Sequence, residues 1–368
     1  MTVNRRRFLL TGTALAASAV VRNPFRALAS PRAPQTLEEK VGQLFVVSLQ
    51  GTTPHSAFLS SLQRHRFGGV ILYANNYASP AQLRTLLGTV QRASPFPLLI
   101  CTDQEGGAVI RFRNGVHTFP SEADYGRIGS TARVYADAAT TAHDLRALGL
   151  TLNLAPVVDV LSNAKSPIGT RSYGPNPQLD AALSVAAIQG YQQHRLAATA
   201  KHFIGLGHTS IDSHQTLPTV KRSLAQLAAV DLVPFRAAIA AGVSTILVAH
   251  VALPAIDPIY RPASLSPVII KHIIRNYLGF RGVVMTDSLA MGAINGIGTP
   301  EAAVQALAAG ADILLIASNQ DIPGGVIDDA VNQVVAAVRA GRISESRVDR
   351  SVARILALKR AYPPAVLG

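Results

Sequence analysis

From about residue 37 onward, short apolar runs alternate with longer stretches of helical pattern. The runs fall at residues 44–49, 69–73, 98–103, 152–158, 197–203, 245–250, 283–287 and 313–317, eight in all. Inside each run apolar residues follow one another without a polar alternate, which is expected of parallel strands buried on both faces. Ala- and Leu-rich segments at 80–92, 131–148, 179–195, 224–241 and 299–309 read as helices, the third starting behind Pro175-Asn176-Pro177. The last pattern, 347–361, puts Val348, Val352, Ile355 and Leu358 on one face and is expected to close the fold. Eight strand–helix alternations predict an α/β fold, a (β/α)8 TIM barrel in one domain over residues 30–368. An open doubly wound sheet has the same alternation. The count of eight and the lack of a Gly-rich dinucleotide fingerprint favour the barrel.

The first residues do not fit this alternation. Asn4-Arg5-Arg6-Arg7-Phe8-Leu9-Leu10 opens a mild apolar run that reaches Val21, and Ala27-Leu28-Ala29 follows. A basic start, an apolar middle and a small-x-small end describe an export signal, here of the twin-arginine type. The apolar run is about 14 residues, short of the roughly 18 that span a bilayer. Residues 1–29 are therefore expected to be a cleavable signal peptide. The mature chain is expected outside the cytoplasm, without stable membrane insertion and without a lipid anchor on a cysteine near Ala29.

Composition sharpens this picture in two places. Lys plus Arg number 34 and Asp plus Glu 21, a net +13, which raises nucleic acid, membrane or acidic polymer as partners. Removing the signal takes away Arg5, Arg6, Arg7, Arg22 and Arg26, so 13 − 5 leaves +8. No helix-turn-helix, finger spacing or aromatic–basic motif is present, and a nucleic-acid partner is not expected. Cys101 is the single cysteine, which rules out an internal disulfide and a Cys-based zinc site.

Barrel enzymes carry their chemistry at the C-terminal ends of the strands. Here four of those ends are polar: Asp103-Gln104-Glu105, Lys201-His202, His250 and Asp287. Burying such groups without partners costs several kcal/mol, and four on one rim point to a site. After strand five, the segment Gly205-Leu206-Gly207-His208-Thr209-Ser210-Ile211-Asp212-Ser213-His214 contains two glycines that allow an irregular loop. Asp212 and His214 are two apart, close enough for the carboxylate to orient the imidazole for proton transfer. A solvated loop with chance histidines is the second reading. Metal binding by the evenly spaced His202, His208 and His214 is the third, since that spacing is not a helix-face metal pattern.

The string Lys201-His202-Phe203-x-Gly205-x-Gly207-(x4)-Asp212-Ser213-His214 resembles the hallmark of bacterial β-N-acetylglucosaminidases of glycoside hydrolase family 3. Asp103-Gln104-Glu105-Gly106-Gly107-x-Val109-x-Arg111 is similar to the family's sugar-binding stretch. Gly169-Thr170-Arg171-Ser172-Tyr173-Gly174 is similar to its Arg-Ser-aromatic-Gly loop, and Val283 to Met291 to its nucleophile strand. The motifs occur in the family's order over roughly residue 37 to the C-terminus.

The resemblance implies that Asp287 is the nucleophile, His214 the acid/base and Asp212 its orienting carboxylate. It implies that Asp103, Arg111, Arg171, Lys201 and His202 hold the terminal sugar, with no cofactor and no metal. His250 is expected to line the cleft, and Asp159 to lie behind it or in a structural ion pair. One departure is Ile204, where the family usually has Pro, which removes a rigid turn constraint.

The activity implied is removal of terminal β-linked N-acetylglucosamine from amino-sugar glycans or cell-wall muropeptides. A phosphorylase or β-glucosidase of the same family is the alternative, and a non-catalytic sugar-binding barrel is the reading from another class. A neutral histidine lets phosphate approach where a carboxylate would repel it.

Overall fold

Eight parallel strands follow one another around the sheet of the computed structural model, which describes residues 33–364 apart from 321, 323 and 324. The expected signal at 1–29 lies outside the described residues. The strands are β1 (Phe45–Ser48), β2 (Gly69–Leu72), β3 (Leu99–Thr102), β4 (Leu152–Asn153), β5 (Ala197–Phe203), β6 (Thr245–Val248), β7 (Val283–Thr286) and β8 (Leu314–Ile316). Each pairs with its neighbour in sequence, and β1 also pairs with β8, Val46 opposite Leu315. The last seam is closed by a parallel bridge of Met285 with Ile313 and by Thr286 N donating to Ile313 O at 3.0 Å. The order runs without reversal, so the sheet is a closed barrel and not a doubly wound one. Every residue of all eight strands is buried. That two-sided burial is the physical source of the unalternated apolar runs.

The helices at Thr131–Leu148 and Thr299–Ala309 have the expected bounds. Pro80–Ala93 starts with Pro at its first position, and the Ser79 hydroxyl accepts from Gln82 N at 3.2 Å. The Asn176 side chain caps Pro177–Gln193. The helix expected over 224–241 is two helices, Leu224–Ala229 and Leu232–Ala240. Pro234 has no N–H and its ring collides with a helical carbonyl four residues back, so the first helix cannot run on through it. Three further helices, Ser56–His65, Val268–Tyr277 and Val326–Arg339, complete the outer layer, the second wound in wider i→i+5 turns. The fourth strand is shorter than expected because Pro156 cannot donate to a ladder. Pairing resumes at a single bridge from Val157 to Lys201.

Glu345–Ala361 closes the fold from below. Arg347 donates to Ala311 O at 2.6 Å, Ser351 to Asp312 at 2.7 Å and Lys359 to Gln43 at 2.7 Å. Residues 311–312 and 43 precede β8 and β1, so this helix covers the N-terminal floor and leaves the C-terminal rim open.

Candidate active site

The open rim encloses a cleft of about 480 Å³. Asp103, Arg111, Arg171, Lys201, His202, His214 and Asp287 all line it, from the ends of β3, β5 and β7 and the loops beyond β3, β4 and β5. A second, smaller space of about 70 Å³ lies between Arg171, His202, Asp212, His214 and Asp287. The eight candidate residues thus share one place.

Local sequence explains how each side chain gets there. The Gln104 side chain, fully buried, accepts from the backbone N–H of Arg111 and Phe112 at 2.9 and 3.2 Å and donates to Phe112 O at 2.9 Å. Gly106 and Gly107 both have positive φ, and a Cβ on Gly106 would lie 2.5 Å from the Phe119 ring. This tight return brings Arg111 back to Asp103, at 3.3 Å, with its guanidinium over the Tyr73 ring. In β5 the register with β6 shifts between Ala200 and Phe203. Consecutive residues of a regular strand face opposite sides. The irregularity brings Lys201 and His202 into the same cleft.

At the bottom of the cleft is an ion cluster. Lys201 Nζ is 2.8 Å from Asp103 and 2.5 Å from Glu105. Arg171 grips Glu105 with two bonds, at 2.7 and 2.9 Å. Burial opposes ionisation of both carboxyls. The cations outweigh it, Lys201 and Arg111 holding Asp103 below its usual range, Arg171 and Lys201 holding Glu105 well below. Burial likewise opposes charge on Lys201, and the two carboxylates override it, so its pKa is raised. Behind Glu105, Glu122 is buried with Oε2 unpartnered. Burial and the Glu105 charge push its carboxyl well above the ordinary value.

The histidines do not converge on a metal. His202 Nδ1 is 2.8 Å from Asp159, His208 Nε2 is 2.8 Å from Asp231, and His214 Nδ1 is 2.7 Å from Asp212. Among the described residues no group of three or more His, Cys, Asp or Glu side chains is placed to hold a metal ion. Asp159 accepts from both the backbone N–H and Nδ1 of His202, which turns Nε2 towards Arg171, 3.3 Å away. It is an orienting carboxylate.

His250 departs from the expectation that it lines the cleft. It is fully buried, does not line the cleft, and bridges Ser264 Oγ at 2.7 Å and Ser288 O at 2.8 Å. Burial lowers its pKa, with Asp287 pulling the other way. Its work is to fix the carbonyl beside Asp287.

Asp287 is half-buried, and its Oδ1 accepts from Ser288 N at 2.8 Å. His214 is exposed on its loop, with side-chain exposure 69%, and Nδ1 is occupied by Asp212. Nε2 is left for a ligand. Burial raises the Asp212 pKa, but the backbone and side-chain bonds from His214 outweigh it and hold the carboxyl below its ordinary value. A carboxylate and an oriented imidazole on one sugar-sized cleft can perform nucleophilic attack and proton transfer.

Some lining residues were not singled out in the sequence. Glu105 belongs to the polar end of β3, and neither its spacing nor the resemblance gives it a role. Tyr73, at the end of β2, lines the cleft, and burial together with the Asp103 charge holds its hydroxyl protonated. Met291, Asn319 and Gln320 complete the rim.

Residues 36–358 match the family model described as "Glycosyl hydrolase family 3 N terminal domain". A β-hexosaminidase of Stenotrophomonas maltophilia (strain K279a) is 38% identical over 298 residues, 79% of this chain and 87% of that protein. One of Xylella fastidiosa (strain M23) is 36% identical over 310 residues, 82% and 89% of the two chains. A family 3 β-N-acetylglucosaminidase structure from Paenibacillus sp. str. FPU-7 superposes with a TM-score of 0.86 at 41% identity, over 89% of this chain and 63% of that one. A β-N-acetylhexosaminidase structure from Beutenbergia cavernae is covered over its full length, with a TM-score of 0.82 and 30% identity. With the motifs in order, the barrel closed and the match spanning nearly all described residues, this chain is a glycoside hydrolase and belongs to glycosyl hydrolase family 3.

Proposed function

We propose that this chain is an exported, retaining exo-β-N-acetylglucosaminidase acting on amino-sugar glycans or muropeptides. The observation that carries the reading is the shared cleft of Asp287 and His214, with Asp212 bonded to His214 Nδ1 at 2.7 Å. The names of the β-hexosaminidase relatives support the substrate class.

In the first step an Asp287 carboxylate oxygen attacks the anomeric carbon. The bond from that carbon to the leaving oxygen breaks, and the proton on His214 Nε2 goes to that oxygen. Asp212 stabilises the imidazolium before transfer and fixes Nδ1–H afterwards. In the second step water attacks the same carbon, gives a proton to His214 Nε2 and releases Asp287. Two inversions give net retention. Asp103, Lys201, Arg111, Arg171 and His202 supply acceptors and donors for the sugar's hydroxyl and acetamido groups.

Release of 4-nitrophenol from its β-N-acetylglucosaminide, measured with and without phosphate, tests this. Turnover independent of phosphate is expected, and Asp287→Ala should abolish it. Sugar 1-phosphate as the product would make the chain a phosphorylase. Sugar binding without turnover would make it a non-catalytic barrel.

A further inference from the structure

His214 sits on an exposed loop, and a general acid must be held within hydrogen-bond reach of the leaving oxygen. Two contacts far apart in sequence hold that loop. The first is a turn just beyond the nucleophile. Gly292 N donates to His214 O at 3.0 Å and Ala293 N to Ser213 O at 3.2 Å. This close approach depends on glycine: a Cβ at 292 would lie 2.4 Å from Gln215 O and 2.6 Å from His214 O. The second is at the loop's root. His208 Nε2 meets Asp231 at 2.8 Å, both side chains being buried, and Asp231 lies in the break between two helices forced by Pro234. Around this root, Ser162 and Asn163 N–H groups both donate to Gly207 O.

We propose that the Gly292–Ala293 turn and the His208–Asp231 pair are positioning residues, a two-point clamp that sets where His214 Nε2 meets the leaving oxygen. The clamp ties the acid/base to the turn that follows Asp287, so the two groups are set against each other through backbone rather than through flexible side chains. This rests on the role proposed for His214. It adds that Gly292 governs the proton-transfer half of the reaction and leaves the nucleophilic half intact.

Gly292→Ala separates the halves. A Cβ there must push the His214 carbonyl away, while β7 and Asp287 are untouched. Gly296→Ala is the control in the same turn, because a Cβ there meets nothing within 4 Å. Two substrates are compared by kcat/KM: the phenyl β-N-acetylglucosaminide, whose leaving group needs a proton, and the 2,4-dinitrophenyl one, whose leaving group does not. Their ratio is independent of how much of the preparation is folded.

For Gly292→Ala the phenyl substrate should lose about 100-fold, since a misplacement of roughly 1 Å costs that order. The dinitrophenyl substrate should change less than about 3-fold, because it forgoes general acid catalysis worth about 10²–10⁴-fold. Gly296→Ala should leave both unchanged. Equal losses on the two substrates, or none, would overturn the proposal. If Gly292→Ala yields no folded protein, Asp231→Asn loosens the loop from its root and is judged by the same two outcomes. A wild type that hydrolyses neither substrate refutes the glycosidase reading itself, a result distinct from either.

Discussion

Glu105→Gln is the substitution whose consequences follow most directly from geometry. The Glu105 side chain is 1% exposed and is the shared partner of Lys201 at 3% and Arg171 at 22% exposure. Replacing the carboxylate with an amide of the same shape removes one negative charge, leaves Lys201 to Asp103 and takes away the carboxylate that Arg171 grips. Breaking a buried pair by removing one partner costs about 3–5 kcal/mol, because the other charge stays buried. A domain of this size unfolds with an entropy of roughly 0.7 kcal/mol/K, so the melting temperature should fall by about 4–7 °C. The pH dependence has a fixed sign. The Glu105 carboxyl is depressed in the folded chain, so its stabilisation is present above the ordinary carboxylate range and is lost as pH falls below it. The gap between wild type and variant should therefore be full at neutral pH and shrink in acid. Melts at pH 7 and pH 3.5 check both points. A shift under about 1 °C at neutral pH, outside the 3–5 kcal/mol expectation, would refute the view that this cluster is a desolvated, mutually dependent unit.

Other substitutions probe separate parts of the molecule. Asp212→Ala leaves His214 without its orienting carboxylate and should cost the phenyl substrate between about 10- and 10⁴-fold in kcat/KM, with the dinitrophenyl substrate largely spared. Lys359, buried on the barrel floor, has its pKa lowered by burial to about 7 from 10.5. The unfolded chain holds that proton up to its own higher pKa, so the lysine makes stability rise between those two values, by at most about 1.4 kcal/mol per pH unit. Lys359→Met should flatten that rise, raising stability relative to wild type at pH 6 and losing the advantage by pH 10; unchanged pH dependence in thermal melts would contradict it. Arg5→Lys with Arg6→Lys should block export of the full chain while leaving the purified enzyme's kcat/KM unchanged, read by fractionating expressing cells.

The barrel was legible because parallel strands buried on both faces leave a mark that needs no partner information: continuous apolar runs such as Val283-Val284-Met285. The errors fall where a single proline acts on a ladder or a helix. Pro156 cut the fourth strand short and Pro234 split a helix. The Asp212–His214 pair was legible because the two residues are neighbours in sequence and meet locally. The pairing of Glu105 with Arg171 was not, because the two lie 66 residues apart and no spacing rule connects them. His250 shows the converse limit. A polar residue at a strand end met the same expectation as Asp287, yet its two ring nitrogens are spent on Ser264 and Ser288 inside the core. Position on the rim selects candidates, and only the hydrogen bonds decide which of them face the substrate.

The proposed mechanism requires that Asp287 form a covalent bond to the sugar. Incubation with a 5-fluoro-N-acetylglucosaminyl fluoride, which forms the glycosyl-enzyme quickly and releases it slowly, followed by proteolysis and mass spectrometry, tests it directly. One fluorosugar per chain is expected, carried on the peptide containing Asp287, and none in Asp287→Ala. An adduct on another residue, or rapid hydrolysis of substrate by a chain that never carries an adduct, would contradict it.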